Sequence, residues 1–299
     1  MRLVRSLLEG VDVPTEIVVV CDGCRDGTEE ALRGEVGTSI VVLSQPRGGP
    51  GAARNLGAAG AQAPTLLFLD DDMRAGPGLV RRHVEAQRRI GGGLVLGALP
   101  VDDASPASYL TEGLARWAAR RDERLRAPGT VPGFGDVLTG NLSVARASFE
   151  RLGGFDAAFT DDPRFGDEDL ELGFRAIAAG ERVAYAPDAI AWQTFDKTFH
   201  ALARDVRRGA AADARFAAKH PGVRAHLLLG RRDSLPPWER RALAAALASP
   251  RLARVALGPA VIAMEQLRRL GARGQYLEAA HAIVRAGLYG VGLAESSTA

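Results

Sequence analysis

Three consecutive aspartates, Asp70, Asp71 and Asp72, follow directly on the apolar run from Thr65 to Leu69. Carboxylates set side by side repel each other and are costly where water is scarce. A strand that delivers them to its own C-terminal edge therefore points to a bound cation. A hard divalent ion, held by one or two carboxylates and otherwise by water and phosphate oxygens, fits such a run. The plain alternative is a solvated turn that stops the strand and caps the next helix. Cys21 and Cys24, the only cysteines, form a second pair just after the strand-like Ile17 to Val20. Their spacing suits a redox dithiol or half of a zinc site. No second cysteine pair and no histidine at finger spacing follows, and Asp26-Gly27 is turn sequence. Two partly buried thiols beside a ligand loop are the better reading. A third group, Glu168 and Asp169, opens a segment containing Leu170, Leu172, Phe174 and Ile177, which reads as a helix with carboxylates at its N-terminus.

These groups need a frame, and the first half of the chain supplies one by alternation. Glu16 to Val20, Ser39 to Leu43, Thr65 to Leu69 and Gly93 to Leu99 read as strands. Thr28 to Arg33, Pro50 to Ala61 and Gly78 to Arg89 read as helices, the second with Pro in its first turn. The order predicts an α/β fold, an open and mostly parallel sheet with helices on both faces. Ligands bind such sheets beyond the carboxyl ends of the strands. Three of those ends carry polar, Gly-rich sequence, at residues 22–27, 45–50 and 70–72, and should converge on one crevice. Further on, Ser105 to Arg126 reads as an amphipathic helix, Pro128 to Gly135 as a loop, and Val137 to Ala145 as a strand interrupted by Gly140-Asn141. Val183 to Trp192 is extended, Asp196 to Ala218 is a basic helix, and Leu235 to Leu293 is helical throughout.

The chain has 299 residues, enough for a large core, and a net charge of only +2, so nothing global argues for a nucleic-acid partner. Its basic residues are almost all Arg, with Lys197 and Lys219 the exceptions, a compositional bias rather than a motif. Met1 to Gly10 lacks the apolar core of a secretory signal. No stretch reaches the roughly 18 apolar residues of a spanning helix. The nearest, Val255 to Met264, is interrupted by Gly258-Pro259. A cytoplasmic protein is expected, with the inner face of the membrane as the further option.

Several segments stand in an informative order: Val18 to Thr28, Gly48 to Gly57, Leu67 to Asp72 and Thr139 to Arg146, then Leu152 to Asp156 and Gly166 to Arg175. Together they resemble the family 2 glycosyltransferases of the GT-A fold, over about residues 1 to 195. The resemblance implies an inverting, metal-dependent transfer of a sugar from a nucleotide-diphospho-sugar to an acceptor hydroxyl, saccharide or lipid-linked, as in cell-envelope polysaccharide biosynthesis. Asp22 matches the aspartate that meets the nucleotide base. Arg54 lies in the segment facing nucleotide and diphosphate, on a Gly-rich helix start suited to anions. Asp70 and Asp72 match the Asp-x-Asp ligands of Mg²⁺ or Mn²⁺; Asp71 belongs to the donor segment but faces away from the metal. Asp169, paired with Glu168, matches the catalytic base, and Gly140 and Asn141 match the loop lining the sugar and acceptor pocket. Domains are expected at 1–220, catalytic, and 221–299, a helical extension.

The sequence departs from that pattern in places. The family opens with a buried strand, whereas Met1 to Leu8 already reads as the helix after it. The first strand is thus apparently missing and two strand edges are left unpaired. The expectation drawn from this is that Met1 is a late start and a longer product is the active form. Gln193 stands where many relatives carry His, so it is left out of the metal set, and Cys24 stands where Ser is usual. The alternatives are a nucleotidyltransferase, which would want a basic Gly-rich loop on the first strand–helix turn, and a non-catalytic nucleotide-sugar-binding protein. The C-terminal helices carry Arg240, Arg241, Arg251, Arg254, Arg268, Arg269 and Arg273 beside apolar stripes. Packing on the catalytic domain with a solvated basic face is expected there, and peripheral attachment to an anionic membrane is the alternative.

Overall fold

The computed structural model of the chain describes residues 1–36, 40–160 and 166–296. The expected strand start at Ser39 lies outside the described residues. By contacts the chain divides into two units, one made of Met1–Ser105 with Leu114–Phe195, the other of Pro106–Gly113 with Asp196–Ala299.

The first unit begins with helix α1 (Arg2–Gly10), followed by β1 (Val18–Asp22), α2 (Thr28–Val36), β2 (Val41–Gln45) and α3 (Pro50–Gly60). Next come β3 (Thr65–Leu69), β4 (Met73–Ala75), α4 (Leu79–Ile90) and β5 (Leu94–Ala98). Helix α5 (Tyr109–Arg126) starts in the second unit and belongs to the first from Leu114 on. The unit closes with β6 (Asn141–Ala145), α6 (Arg146–Arg151), α7 (Glu168–Ala178) and β7 (Val183–Gln193). Strands β1 and β2 form a parallel pair, and the other five are ordered β3-β6-β5-β7-β4. Within those five, β3, β5 and β7 share one direction while β6 and β4 run against it. The α/β architecture is the expected one; the short reversed β4 and the helix α6 are additions to it.

Two positions of this sheet matter for chemistry. Leu69 pairs with Asn141, so the end of β3 meets the start of β6, and Asp70 emerges beside Gly140. Met73 pairs with Gln193, which brings the far side of the aspartate turn to the end of β7. Strand β3 is apolar on both faces because both are covered. Leu66 and Phe68 join Leu94, Leu96, Leu142, Phe149, Phe155 and Leu172, while Leu67 and Leu69 pack with Leu3, Leu7 and Leu79 on the other side. Side chains alternate along a strand, so Asp70 continues the Phe68 side, where Ala58 of α3 and Leu172 of α7 are buried.

In the second unit lie α8 (Phe199–Lys219), α9 (Pro237–Ala248), α10 (Pro250–Arg269) and α11 (Gln275–Ser296). The boundary falls at Phe195, upstream of the 220/221 junction drawn from the sequence, because α8 packs with these helices. Phe199 and Phe216 of α8 are fully buried. At Gly292 of α11 a Cβ would lie 2.4 Å from the Arg207 carbonyl of α8. His281 meets both Tyr109 and Phe199 edge to face, those two rings lie tilted at 41° to each other, and the Phe199 amide donates to Glu265 at 2.7 Å. Leu235 to Leu293 is not one continuous helical run. It breaks at Ser249-Pro250, where Pro suits a new first turn, and at 270–274, where Gly271 and Gly274 take positive φ. Gly258-Pro259, by contrast, sits inside α10 without ending it.

Candidate active site

Helix α3 is positioned by its own preceding loop. Asp22, at the end of β1, accepts hydrogen bonds from the Gln45 side chain and the Gly48 amide, both at 2.7 Å, and from the Gly49 amide at 2.9 Å. Its carboxylate is committed to shaping the 45–49 loop and so to aiming the N-terminus of α3. Gly49 at φ 88° and Pro50 in the first turn make that tight entry cheap. The other end of the fit is a two-way lock. Asn55 donates to the Phe155 carbonyl at 2.8 Å and accepts from the Phe155 amide at 2.9 Å. Gly51 faces Thr160 so closely that a Cβ would be 2.2 Å from its Cγ2.

From this anchored helix Arg54 reaches two carboxylates at once. Its Nη2 donates to Asp70 Oδ1 at 2.7 Å and its Nη1 to Glu168 Oε1 at 2.8 Å, while the guanidinium lies 5.7 Å from the Phe155 ring. The Arg54 and Glu168 side chains are 15% and 9% exposed, and Asp70 is 36% exposed. Burial alone would weaken the Arg54 charge, but Asp70 and Glu168 outweigh it and hold the guanidinium firmly protonated. Asp169 stands next in line at the start of α7. Burial, then the neighbouring Glu168 charge, pushes its carboxyl up to about 7, with Arg54 and the Leu170 amide pulling the other way. One of its oxygens accepts from that amide at 2.8 Å. Asp167, just before the helix, has φ 60°, the only positive value outside glycine among the described residues. Backbone strain is thus concentrated where the carboxylates are presented.

The aspartate run is a tight turn between β3 and β4, closed by the Met73 amide on the Asp70 carbonyl at 3.1 Å. Asp71 is exposed at its tip. Asp72 is held from the end of β7: the Gln193 side-chain Nε2 donates to its Oδ2 at 3.1 Å and the Thr194 backbone amide to its carbonyl at 2.9 Å. Gly140 flanks Asp70, since a Cβ there would be 3.4 Å from Asp70 Oδ2 and 2.7 Å from Met73 Cε. The side chain of Asn141, by contrast, is 1% exposed and committed inside the sheet. Its Nδ2 donates to the carbonyls of Ala98 and Ala189 at 2.9 Å, and its Oδ1 faces His83 Nε2 at 2.8 Å. Because Asn141 Oδ1 can only accept, His83 must carry its proton on Nε2. Burial keeps this histidine neutral, with its pKa down at about 4.

The structure therefore gathers Arg54, Asp70, Glu168 and Asp169 into one cluster, with Asp72 and Gly140 beside it. Asp22 sits at the head of α3, and Asn141 lies beneath as a strut. Among the described residues no three His, Cys, Asp or Glu side chains converge as a metal cage. Asp70 and Asp72 thus fit a hard divalent ion only if phosphate oxygens and water complete its shell. Of the two thiols, only Cys21 is buried; burial and the adjacent Cys24 push it up to about 11, which disfavours the thiolate, and Cys24 is exposed. The sequence carries no signal that would single out Asn55, and nothing in it shows that the Gln193 side chain hydrogen-bonds Asp72.

Comparison with known proteins adds to this geometry. The model of glycosyl transferase family 2 matches residues 2–153. Validoxylamine A glucosyltransferase of Streptomyces hygroscopicus subsp. jinggangensis (strain 5008) is 30% identical over 240 residues, covering 70% of this chain and 54% of that protein. Succinoglycan biosynthesis protein ExoO of Rhizobium meliloti (strain 1021) is 29% identical over 198 residues, 63% of this chain and 55% of its own. The chain spans about half the length of the curated relatives it matches. Among solved structures, mannosyltransferase PcManGT from Pyrobaculum calidifontis, in complex with GDP-Man and Mn²⁺, superimposes with a TM-score of 0.55 at 19% identity, over 91% of this chain and 76% of its own. S. aureus TarS 1-349 in complex with UDP gives 0.50 at 16% identity, over 99% and 86%. At these identities the structures speak to the fold.

Proposed function

The chain belongs to glycosyl transferase family 2, and on that footing we propose that it transfers a sugar from a nucleotide-diphospho-sugar to an acceptor hydroxyl, with inversion at the anomeric carbon. The observation that carries the reading is the Asp70–Arg54–Glu168 bridge with Asp169 beside it. A carboxyl held at about 7 is close to half ionised at neutral pH, the range in which a general base works best. The Leu170 amide occupies one oxygen of Asp169, and the other is offered to the acceptor hydroxyl. A base on the side opposite the leaving group implies single displacement. Glu168 keeps Asp169 basic through its charge, and Arg54 offsets part of the repulsion between the two carboxylates.

Asp70 and Asp72 would hold Mg²⁺ or Mn²⁺, which neutralises charge on the departing diphosphate. Gln193 keeps Asp72 turned toward that task. Arg54, already facing Asp70, is placed to exchange one carboxylate for a phosphate oxygen when the donor enters. Asp22 serves the donor from a distance by fixing the loop at the head of α3, and Gly140 leaves room beside Asp70 for the sugar and acceptor. Two structural neighbours bind GDP-Man or UDP, and ExoO acts in succinoglycan biosynthesis. A saccharide or lipid-linked acceptor of envelope polysaccharide type, met at the cytoplasmic face of a membrane, is the extension we draw from them. Titration calorimetry of Asp169→Asn with UDP or GDP plus Mn²⁺, beside turnover of the corresponding nucleotide-sugar, tests the base. Donor-nucleotide binding should persist while turnover is lost; unchanged turnover refutes the assignment.

A further inference from the structure

Helix α10 turns its apolar side outward. Leu252, Val255, Ile262 and Leu270 are 72%, 74%, 56% and 80% exposed, and the exposed Ala256, Pro259 and Ala263 complete the row. Their offsets of three, four and seven residues place them on one stripe. Val261, Met264 and Glu265 form the opposite, buried side. A contiguous apolar surface of this kind marks a binding face rather than a scatter of single residues. Gln266 is the one polar side chain within it, and the exposed Arg251 and Arg269 share the row that borders Ile262, eleven residues before it and seven after. The unit that bears the helix is itself basic: its sequence holds 17 Lys and Arg against 9 Asp and Glu, whereas the other unit holds 21 against 27.

We infer that α10 is a lipid-binding helix that lays this stripe into the headgroup region of an anionic membrane surface. An apolar face bordered by arginine is the pattern of an interfacial helix. A second copy of the chain is a poorer occupant. A face paired with itself would bring both arginine borders, and two basic units, together without an acidic partner. Nucleic acid would use the charge and leave the stripe in water. Among the described residues no helix is long and apolar enough to cross a membrane, so the contact is one of surface. Pro259 suits that depth as well, because the Val255 carbonyl it leaves without a helical donor stays within reach of water and headgroups. This inference rests on the second unit alone and does not depend on the proposed reaction.

Co-sedimentation of the full chain with vesicles tests it. Phosphatidylcholine vesicles with roughly one third phosphatidylglycerol should carry the protein into the pellet, and phosphatidylcholine alone should not. Leu252→Glu combined with Val255→Glu, both at exposed positions, should return it to the supernatant with its circular dichroism unchanged. Arg251→Gln should weaken binding by about fivefold, Arg269→Gln by less because Arg269 is already paired with Glu265 at 3.1 Å, and added salt should weaken it too. Three results would overturn the proposal. The wild-type protein stays in the supernatant with anionic vesicles; the double Glu variant pellets like wild type; or lipid-free scattering shows a dimer that the double Glu variant converts to monomer.

Discussion

At the scale of single residues, Asp169 is defined by its neighbours more than by its own chemistry. Its carboxyl is raised to about 7 from an ordinary 3.8, so it is protonated below neutrality and able to accept a proton above it. Turnover should therefore rise with pH through about 7, and Asp169→Asn should remove both that limb and a factor of roughly 10² to 10⁴ in rate. The neighbours act with opposite sign. Glu168→Gln takes away a like charge and should move the limb to lower pH; Arg54→Gln takes away an opposite charge and should move it higher. Profiles of kcat against pH for the three proteins read this directly, and limbs that do not move in opposite directions would separate the limb from Asp169. Arg54→Gln also leaves two carboxylates, one of them nearly buried, without their cation. Breaking a buried pair of this kind costs about 3–5 kcal/mol, visible as a lower urea midpoint. Asp72→Ala should abolish metal-dependent donor binding while leaving thermal stability nearly unchanged, because Asp72 is held at a turn rather than in the core.

At the scale of elements, the site depends on how tightly α3 is seated. Gly51→Ala would place a methyl 2.2 Å from Thr160 Cγ2, and forcing such a contact costs about 1–3 kcal/mol. Because Arg54 lies one turn further along the same helix, the melting temperature should fall and the pH limb of Asp169 should move upward together. A fall in stability with no change in the limb would show that the seat of α3 does not set the Arg54 contact. Much of this frame was legible. The β3 apolar run, the Gly-rich start of α3 and the acidic start of α7 each carry a local signal, and each element lies within two or three residues of its expected bounds. What was not legible has a common cause. β4 is three residues long and exists because Met73–Ala75 pairs with β7, more than a hundred residues away. The commitment of Asn141 to Ala98, Ala189 and His83 likewise needs three strands and a helix assembled first. Asp22 could be picked out as a conspicuous carboxylate, but its hold on the Gly48 and Gly49 amides is a property of the folded loop.

At the scale of the whole molecule, the two units carry their electrostatics differently. In the second, Glu265 is 1% exposed and is held down at about 2 from an ordinary 4.5. Hydrogen bonds from Arg268 lead, burial opposes, and the Phe199 amide and Arg269 add to the lowering. A depressed carboxylate stabilises the fold fully above its unfolded value. That contribution, on the order of 3 kcal/mol, should be lost as pH falls from about 4.5 toward 2. Denaturant unfolding of wild type and Glu265→Gln across that window measures it, and the variant should show a shallower dependence on pH. The division of charge has a further consequence, one of colloidal behaviour. A net charge of +2 describes neither the acidic unit nor the basic one. Head-to-tail attraction between molecules should therefore be strongest where screening is weakest, near 0.01 M salt, where fields reach roughly 30 Å. The protein should cloud on dilution of salt and clear when salt is restored, the salting-in response of a molecule whose opposite charges are kept in separate parts of one chain.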